Sequence, residues 1–192
     1  MDSDQQLTLF STEELKSLTA FGGRRSSLQM DCEYFQQWKA QIHKHQQQMR
    51  MGQMIEQVTL FDLSSSAAVK PEMIDPFALS VHSFSFFRFP NDGPGEACLY
   101  FVLDSAAEVI LYIGETCRSH KRWRGQHDCK IYLDNYTSMH YHRGIKTAVN
   151  IAFWWGAPAN TRARQQLELS LIQKWRSPFN KENWTIWGRP FG

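Results

Sequence analysis

The chain has 192 residues, with 21 Lys+Arg against 19 Asp+Glu, and 42% of its residues are hydrophobic and 14% aromatic. That length holds one domain of ordinary size with extensions, and the apolar share supplies a core. No run approaches the roughly 20 apolar residues of a membrane helix. The start "MDSDQQLTLF" is acidic and polar, unlike a secretory signal. Cys32, Cys98, Cys117 and Cys129 form no C-x-x-C pair and suggest no oxidising compartment. These features predict a cytoplasmic protein with no membrane partner. The net charge of +2 is unevenly placed: residues 1–76 hold seven Lys/Arg against ten Asp/Glu, and residues 77–192 hold fourteen against nine with five of the seven histidines. Positive charge gathered in the second part suits an anionic partner.

In chain order, residues 1–76 read as a tail. "AFGGRRSS" is a small-residue stretch, and residues 31–57 carry a sparse apolar stripe of Phe35, Trp38, Ile42 and Met49 at helical spacing among glutamines. "DLSSSAAVKPEMIDP" is a linker. Residues 77–192 read as an α/β domain. "HSFSFFRF" is an edge strand or an extended lead-in, "ACLYFVL" and "VILYIG" form a hairpin around residues 104–108, and the segment from Arg118 to Tyr132 is helical. "MHYHRG" places His140 and His142 on one face of a possible strand as an exposed pair, and "TAVNIAFWWGA" is a further strand. After Asn160 or Thr161 as cap, Leu167, Leu171, Ile172 and Trp175 share one face of a helix that Pro178 ends. The expected fold class is α/β: a central three-stranded mixed or antiparallel sheet flanked by helices, after a largely extended or helical tail.

Tyr100 and Tyr112 lie in the middle of the two hairpin strands. A hydroxyl buried without a partner costs roughly 1–3 kcal/mol, so both need something to do. Directly opposed on adjacent strands they would sit about 5 Å apart on one face. Arg122, His127, Glu168 and Asn180 could converge on the same place, although a carboxylate at Glu168 can equally pair with its i−4 neighbour Arg164. Cys117, His120, His127 and Cys129 give C-x2-H-x6-H-x-C, a spacing that fits no closed zinc site.

The series "CLYFVLD…LYIGET…KRW…ELSLIQKWRSPFN" over residues 97–184 resembles the GIY-YIG nuclease superfamily. Its first triad stands here in altered form as Cys98-Leu99-Tyr100, and the second is intact as Tyr112-Ile113-Gly114. The family's arginine falls on Arg122, its helix glutamate on Glu168 and its asparagine on Asn180. The family's residue four places after the arginine falls on Gln126, with His127 one place later. The resemblance implies phosphodiester hydrolysis with one divalent metal, Mg²⁺ or Mn²⁺, held by Glu168. It further implies Tyr112 beside the attacking water with Tyr100 as its partner, Arg122 on the phosphate, His127 in the catalytic set and Asn180 as a brace. Lys121, Arg124 and Lys130 are the expected contacts to DNA phosphates.

Two further segments resemble the bacterial sliding-clamp-binding peptide: Gln6, Leu7, Leu9 and Phe10 in "QLTLF", and Gln57, Val58, Leu60 and Phe61 in "QVTLF". Average residue usage gives one such match in roughly 1% of chains this long. The combined expectation is a bacterial, nucleoid-associated DNA endonuclease that cuts branched, flap or mismatched DNA and is recruited to the replication clamp for repair or recombination. A restriction or mobile-element endonuclease and an inactive clamp-bound adaptor are the competing expectations. Oligomeric state is left open.

Overall fold

In a computed structural model the chain is described over residues 31–59, 69–83, 97–117 and 128–191. The elements are α1 (Cys32–Thr59), β1 (Val81–Ser83), β2 (Cys98–Asp104), β3 (Val109–Thr116), α2 (Asp128–Arg143), β4 (Val149–Trp154), α3 (Thr161–Trp175) and the single turn α4 (Trp184–Trp187). The four strands form one antiparallel sheet in the order β1-β4-β2-β3. The fold is α/β as expected. The sheet is wholly antiparallel and gains Val81–Ser83 as a fourth, edge strand.

Every residue of β2 is buried because both faces of the sheet are covered. Cys98, Tyr100 and Val102 face a core with Phe35, Trp38 and Ile42 of α1 and with Tyr132, Leu133, Tyr136 and Met139 of α2. Leu99, Phe101 and Leu103 face a second core with Leu167, Leu171, Ile172 and Trp175 of α3. A strand covered twice reads as a continuous apolar run, which is what "CLYFVL" is. Asn160 caps α3 by accepting the amide hydrogen of Ala163 at 3.0 Å, and the helix ends at Arg176 in the left-handed region, φ 48°.

The apolar stripe of α1 is part of these cores. Phe35, Trp38 and Ile42 enter the first, while Met49 packs against the second. The helix therefore crosses the open edge of β3 from one face to the other. At the crossing Gln46, 1% exposed, accepts from Ile110 N at 2.7 Å and donates from Nε2 to Ile110 O at 3.0 Å and to Trp175 O at 3.0 Å. Its amide takes the place of a neighbouring strand.

The pair expected on a strand lies on a helix. "MHYHR" completes α2, with His142 exposed and His140 fully buried. The alternation of Tyr and His imitates a strand over four residues. Cys129, Tyr132, Leu133, Tyr136, Met139 and His140 recur at spacings of three and four, and that longer period wins.

His140 belongs to a buried polar cluster around Asp104. The Asp104 carboxylate accepts from the amides of Ala106, Ala107 and Ala148 and from the hydroxyls of Tyr136 (2.7 Å) and Thr147 (3.0 Å). Burial alone would raise its pKa. The hydrogen bonds and the Lys39 charge at 3.8 Å outweigh burial and hold it below the usual carboxylate value. His140 Nδ1 lies 2.7 Å from the Tyr136 carbonyl, so it must donate there. Nε2 is then the acceptor for the Lys39 ammonium at 2.6 Å. His140 is thus neutral, and burial followed by the Lys39 charge holds its pKa low against the pull of the Tyr136 carbonyl and Asp104.

Two consequences are measurable. Gln46→Ala leaves the strand amide and two carbonyls without partners, and we expect it to cost about 2–4 kcal/mol, read as a lower urea midpoint at unchanged slope. As pH falls below the ordinary histidine value of about 6.5, the unfolded chain binds a proton that native His140 excludes, so stability declines. His45, held low chiefly by burial, acts in the same direction, and Asp104 adds the same sign in stronger acid. Urea midpoints for the wild type should fall between pH 7 and pH 5, and those for His140→Asn should fall less.

Candidate active site

The site is organised by β3. The register between β2 and β3 pairs Tyr100 with Gly114 and Val102 with Tyr112, then Leu103 with Ile110, passing over Leu111. This bulge sets the direction of Tyr112. Val109 and Leu111 face the first core and Ile110 the second, so strict alternation would send Tyr112 toward α3. With the extra residue, Tyr112 packs against the first core beside Leu111, and Ile113 returns to the second. Tyr112 therefore shares a face with Tyr100. The two are diagonal neighbours, not directly opposed, with ring centroids 6.0 Å apart at 30°. Tyr100 is fully buried, and Tyr112 is half-buried at the rim.

Gly114 makes room for this stack. A Cβ there would collide with Cζ and the hydroxyl oxygen of Tyr100. The glycine is required by the close approach of a ring, since its backbone is ordinary strand. Cys98, in the first position of the altered triad, is fully buried. Burial pushes its thiol up to about 12, so it supplies no thiolate.

Glu168 and Asn180 reach β3 from outside the sheet. Glu168, half-buried on α3, accepts the Glu115 amide hydrogen through Oε1 at 3.0 Å. One turn earlier Arg164, 1% exposed, directs Nε to the Glu115 carboxylate and Nη1 to the carbonyls of Pro158 and Ala159. Two residues of α3 thus grip Glu115, one by its amide and one by its carboxylate. Asn180 accepts from Ile113 N and donates to Ile113 O, both at 2.9 Å. The Ser177 hydroxyl donates to Asn180 Oδ1 at 2.6 Å and fixes that amide.

Residues 96–183 match the GIY-YIG catalytic domain. The match covers just under half of the chain and indicates a nuclease. No curated protein and no solved structure gives a significant match. Within the matched residues the structure brings together Tyr100, Tyr112, Glu168 and Asn180 along β3. Arg122, His127, Lys121 and Arg124 lie outside the described residues, as do Gln6, Leu7, Leu9, Phe10, Leu60 and Phe61. Lys130 is half-buried in the first turn of α2, with its charge facing Asp134. Gln57 and Val58 fall in the last turn of α1. In the C-x2-H-x6-H-x-C spacing, Cys117 is exposed, Cys129 is buried, and the two histidines lie outside the described residues.

Glu168 is an oxygen donor of the kind a hard divalent cation takes. No group of three or more His, Cys, Asp or Glu able to hold a metal occurs among the described residues. A cation there would be held by the Glu168 carboxylate, and Mg²⁺ commonly keeps several waters. The donor chemistry fits.

Sequence reasoning missed Glu115, Arg164 as its partner, and Ser177. The available signal was the spacing of Arg164 and Glu168, which puts both on one face of α3. The steric role of Gly114 makes a direct prediction. Gly114→Ala should destabilise the domain by about 1–3 kcal/mol, as overpacking does. Combined with Tyr100→Ala, its effect should be clearly less than additive in a double-mutant cycle of urea midpoints.

Proposed function

We propose that this protein is a metal-dependent DNA endonuclease that cuts a structured DNA substrate and is brought to it by the replication sliding clamp. The carrying observation is that one strand, β3, presents a half-buried tyrosine stacked on a second, a glycine that makes room for the stack, and backbone contacts to Glu168 and Asn180. In this reading Tyr112 stands next to the attacking water and receives or relays its proton. Its ordinary pKa near 10 requires nearby positive charge to make that transfer useful. Tyr100 supports it from below, Asn180 fixes the strand that carries it, and Arg122 supplies a planar donor fork to the phosphate. Water forms a new bond to phosphorus as the bond to one sugar oxygen breaks, leaving a phosphate monoester and a hydroxyl end. Mg²⁺ or Mn²⁺ at Glu168 would stabilise charge on the scissile phosphate and leaving oxygen.

Recruitment rests on the two clamp-like peptides. The terminal one, Gln6 to Phe10, is the better candidate, since Gln57–Thr59 are helical here and an extended bound form would first have to unwind that turn. The domain itself is only mildly basic, which suits an enzyme whose local concentration is raised by a tether. DNA repair or recombination is the process this combination supports.

A labelled panel of plain duplex, nicked, mismatched, flap and four-way-junction DNA tests this with Mg²⁺ or Mn²⁺, with and without clamp. We expect one structured substrate to be cut, Glu168→Ala to lower cutting by at least about 10³-fold, and Phe10→Ala with Phe61→Ala to remove only the clamp's enhancement. Cleavage of nothing by the wild type, or undiminished cleavage by Glu168→Ala, would overturn the reading.

A further inference from the structure

The C-terminal segment is basic, with four Lys/Arg against one Asp/Glu over residues 173–192. Two of these cations meet on one ring: Lys181 Nζ lies 5.8 Å and Arg189 Cζ 5.5 Å from the centroid of Trp184. Both residues are exposed, and the ring between them is half-buried. The Trp184 indole N–H is buried with no acceptor among the described residues.

This arrangement is held rigidly. Trp187 donates from Nε1 to the Arg176 carbonyl at 2.6 Å, and its own carbonyl accepts from Trp38 of α1 at 3.2 Å. Gly188, at φ 78°, turns the chain while its amide bonds Trp184 O at 3.0 Å. Phe191 is buried against Phe179, with centroids 6.2 Å apart. Arg189 thus sits between two anchored aromatics with its guanidinium over a third.

The segment also lies beside the candidate active site. Trp184 and Tyr112 pack against the same core on the same face of the sheet. Lys181 directly follows Asn180, whose amide holds the residue next to Tyr112. Tyr132, in the second turn of α2, meets Trp184 edge-on at 6.0 Å and Phe179 at 5.7 Å.

We propose that Lys181, Trp184 and Arg189 form a second nucleic-acid contact, a preorganised pair of phosphate-binding cations that holds the DNA strand flanking the cleaved bond. The choice of DNA rests on the function proposed above. The chemistry itself is an anionic backbone met by two cations whose rotamer freedom the indole has already reduced. A purely structural role would not need two exposed cations on one ring.

Fluorescence anisotropy of labelled junction and duplex DNA tests the proposal in EDTA, in the Glu168→Gln background, from 50 to 300 mM salt. Neutralising two phosphate contacts should lower the slope of log affinity against log salt by about 1.8. We expect Lys181→Ala with Arg189→Ala to do this and to weaken binding at least ~10-fold, while Lys181→Arg with Arg189→Lys retains most of the affinity and slope. Unchanged affinity and slope in the alanine pair would overturn the proposal. Because this readout is binding without turnover, a wild type that binds DNA and cuts nothing sinks the nuclease reading alone. Normal cleavage with an unaltered salt slope in the alanine pair sinks the platform alone.

Discussion

The free edge of β3 is the constraint on which the rest of the structure depends. β3 ends the sheet, and an edge strand exposes backbone donors and acceptors that must be satisfied or shielded. Here they are met by residues that are not strands: Gln46 at Ile110, the amide of Phe179 at Leu111, Asn180 at Ile113 and Glu168 at Glu115. They come from three places: α1, the loop after α3, and α3 itself. Closing the edge therefore gathers α1, the C-terminal segment and α3 around one strand. A covering strand would have satisfied the same backbone groups but would have occupied the space beside Glu168.

The bulge in β3 is the second part of the same solution. Passing over Leu111 changes which face Tyr112 takes, and it spaces the outward-facing groups so that two carboxamides fit three residues apart. Bulges re-aim side chains and are common beside active sites. In this domain the bulge, the ring stack and Gly114 are mutually dependent. Without the bulge Tyr112 would face α3, and without the glycine Tyr100 could not lie across the strand.

Much of this was legible in the sequence where one residue type carries one reason. The hairpin, the strand Val149–Trp154 and the α3 stripe follow from apolar runs and local chemistry, and of the two caps the sequence offered, Asn160 and Thr161, the structure uses Asn160. The tyrosine pair, Glu168 and Asn180 were legible through the ordered series of family motifs. The bulge was not, because both faces of the hairpin are buried and the pattern has no alternation for an extra residue to break. Gln46 was hidden among neighbouring glutamines that look alike until one is seen to meet an edge. Asp104 resembled a simple turn residue, and its partners Lys39, Tyr136, His140 and Thr147 come from segments far apart in the chain. Long-range polar convergence leaves no local period to read.

Placing fold and site on the same strand has a consequence for how residues divide their roles. Asn180 and Gln46 do the same physical work three residues apart, yet only Asn180 holds the residue beside Tyr112. Loss of either opens the edge, so stability alone does not separate a brace from a member of the site. Glu168 differs in kind. Its side chain accepts the Glu115 amide hydrogen, while Arg164 one turn away holds the Glu115 carboxylate. A buried arginine must be paired, and the Glu115 carboxylate pairs it. Arg164 thus has a partner of its own, and the Glu115 that serves it is fixed by the same strand edge that the rest of the domain closes.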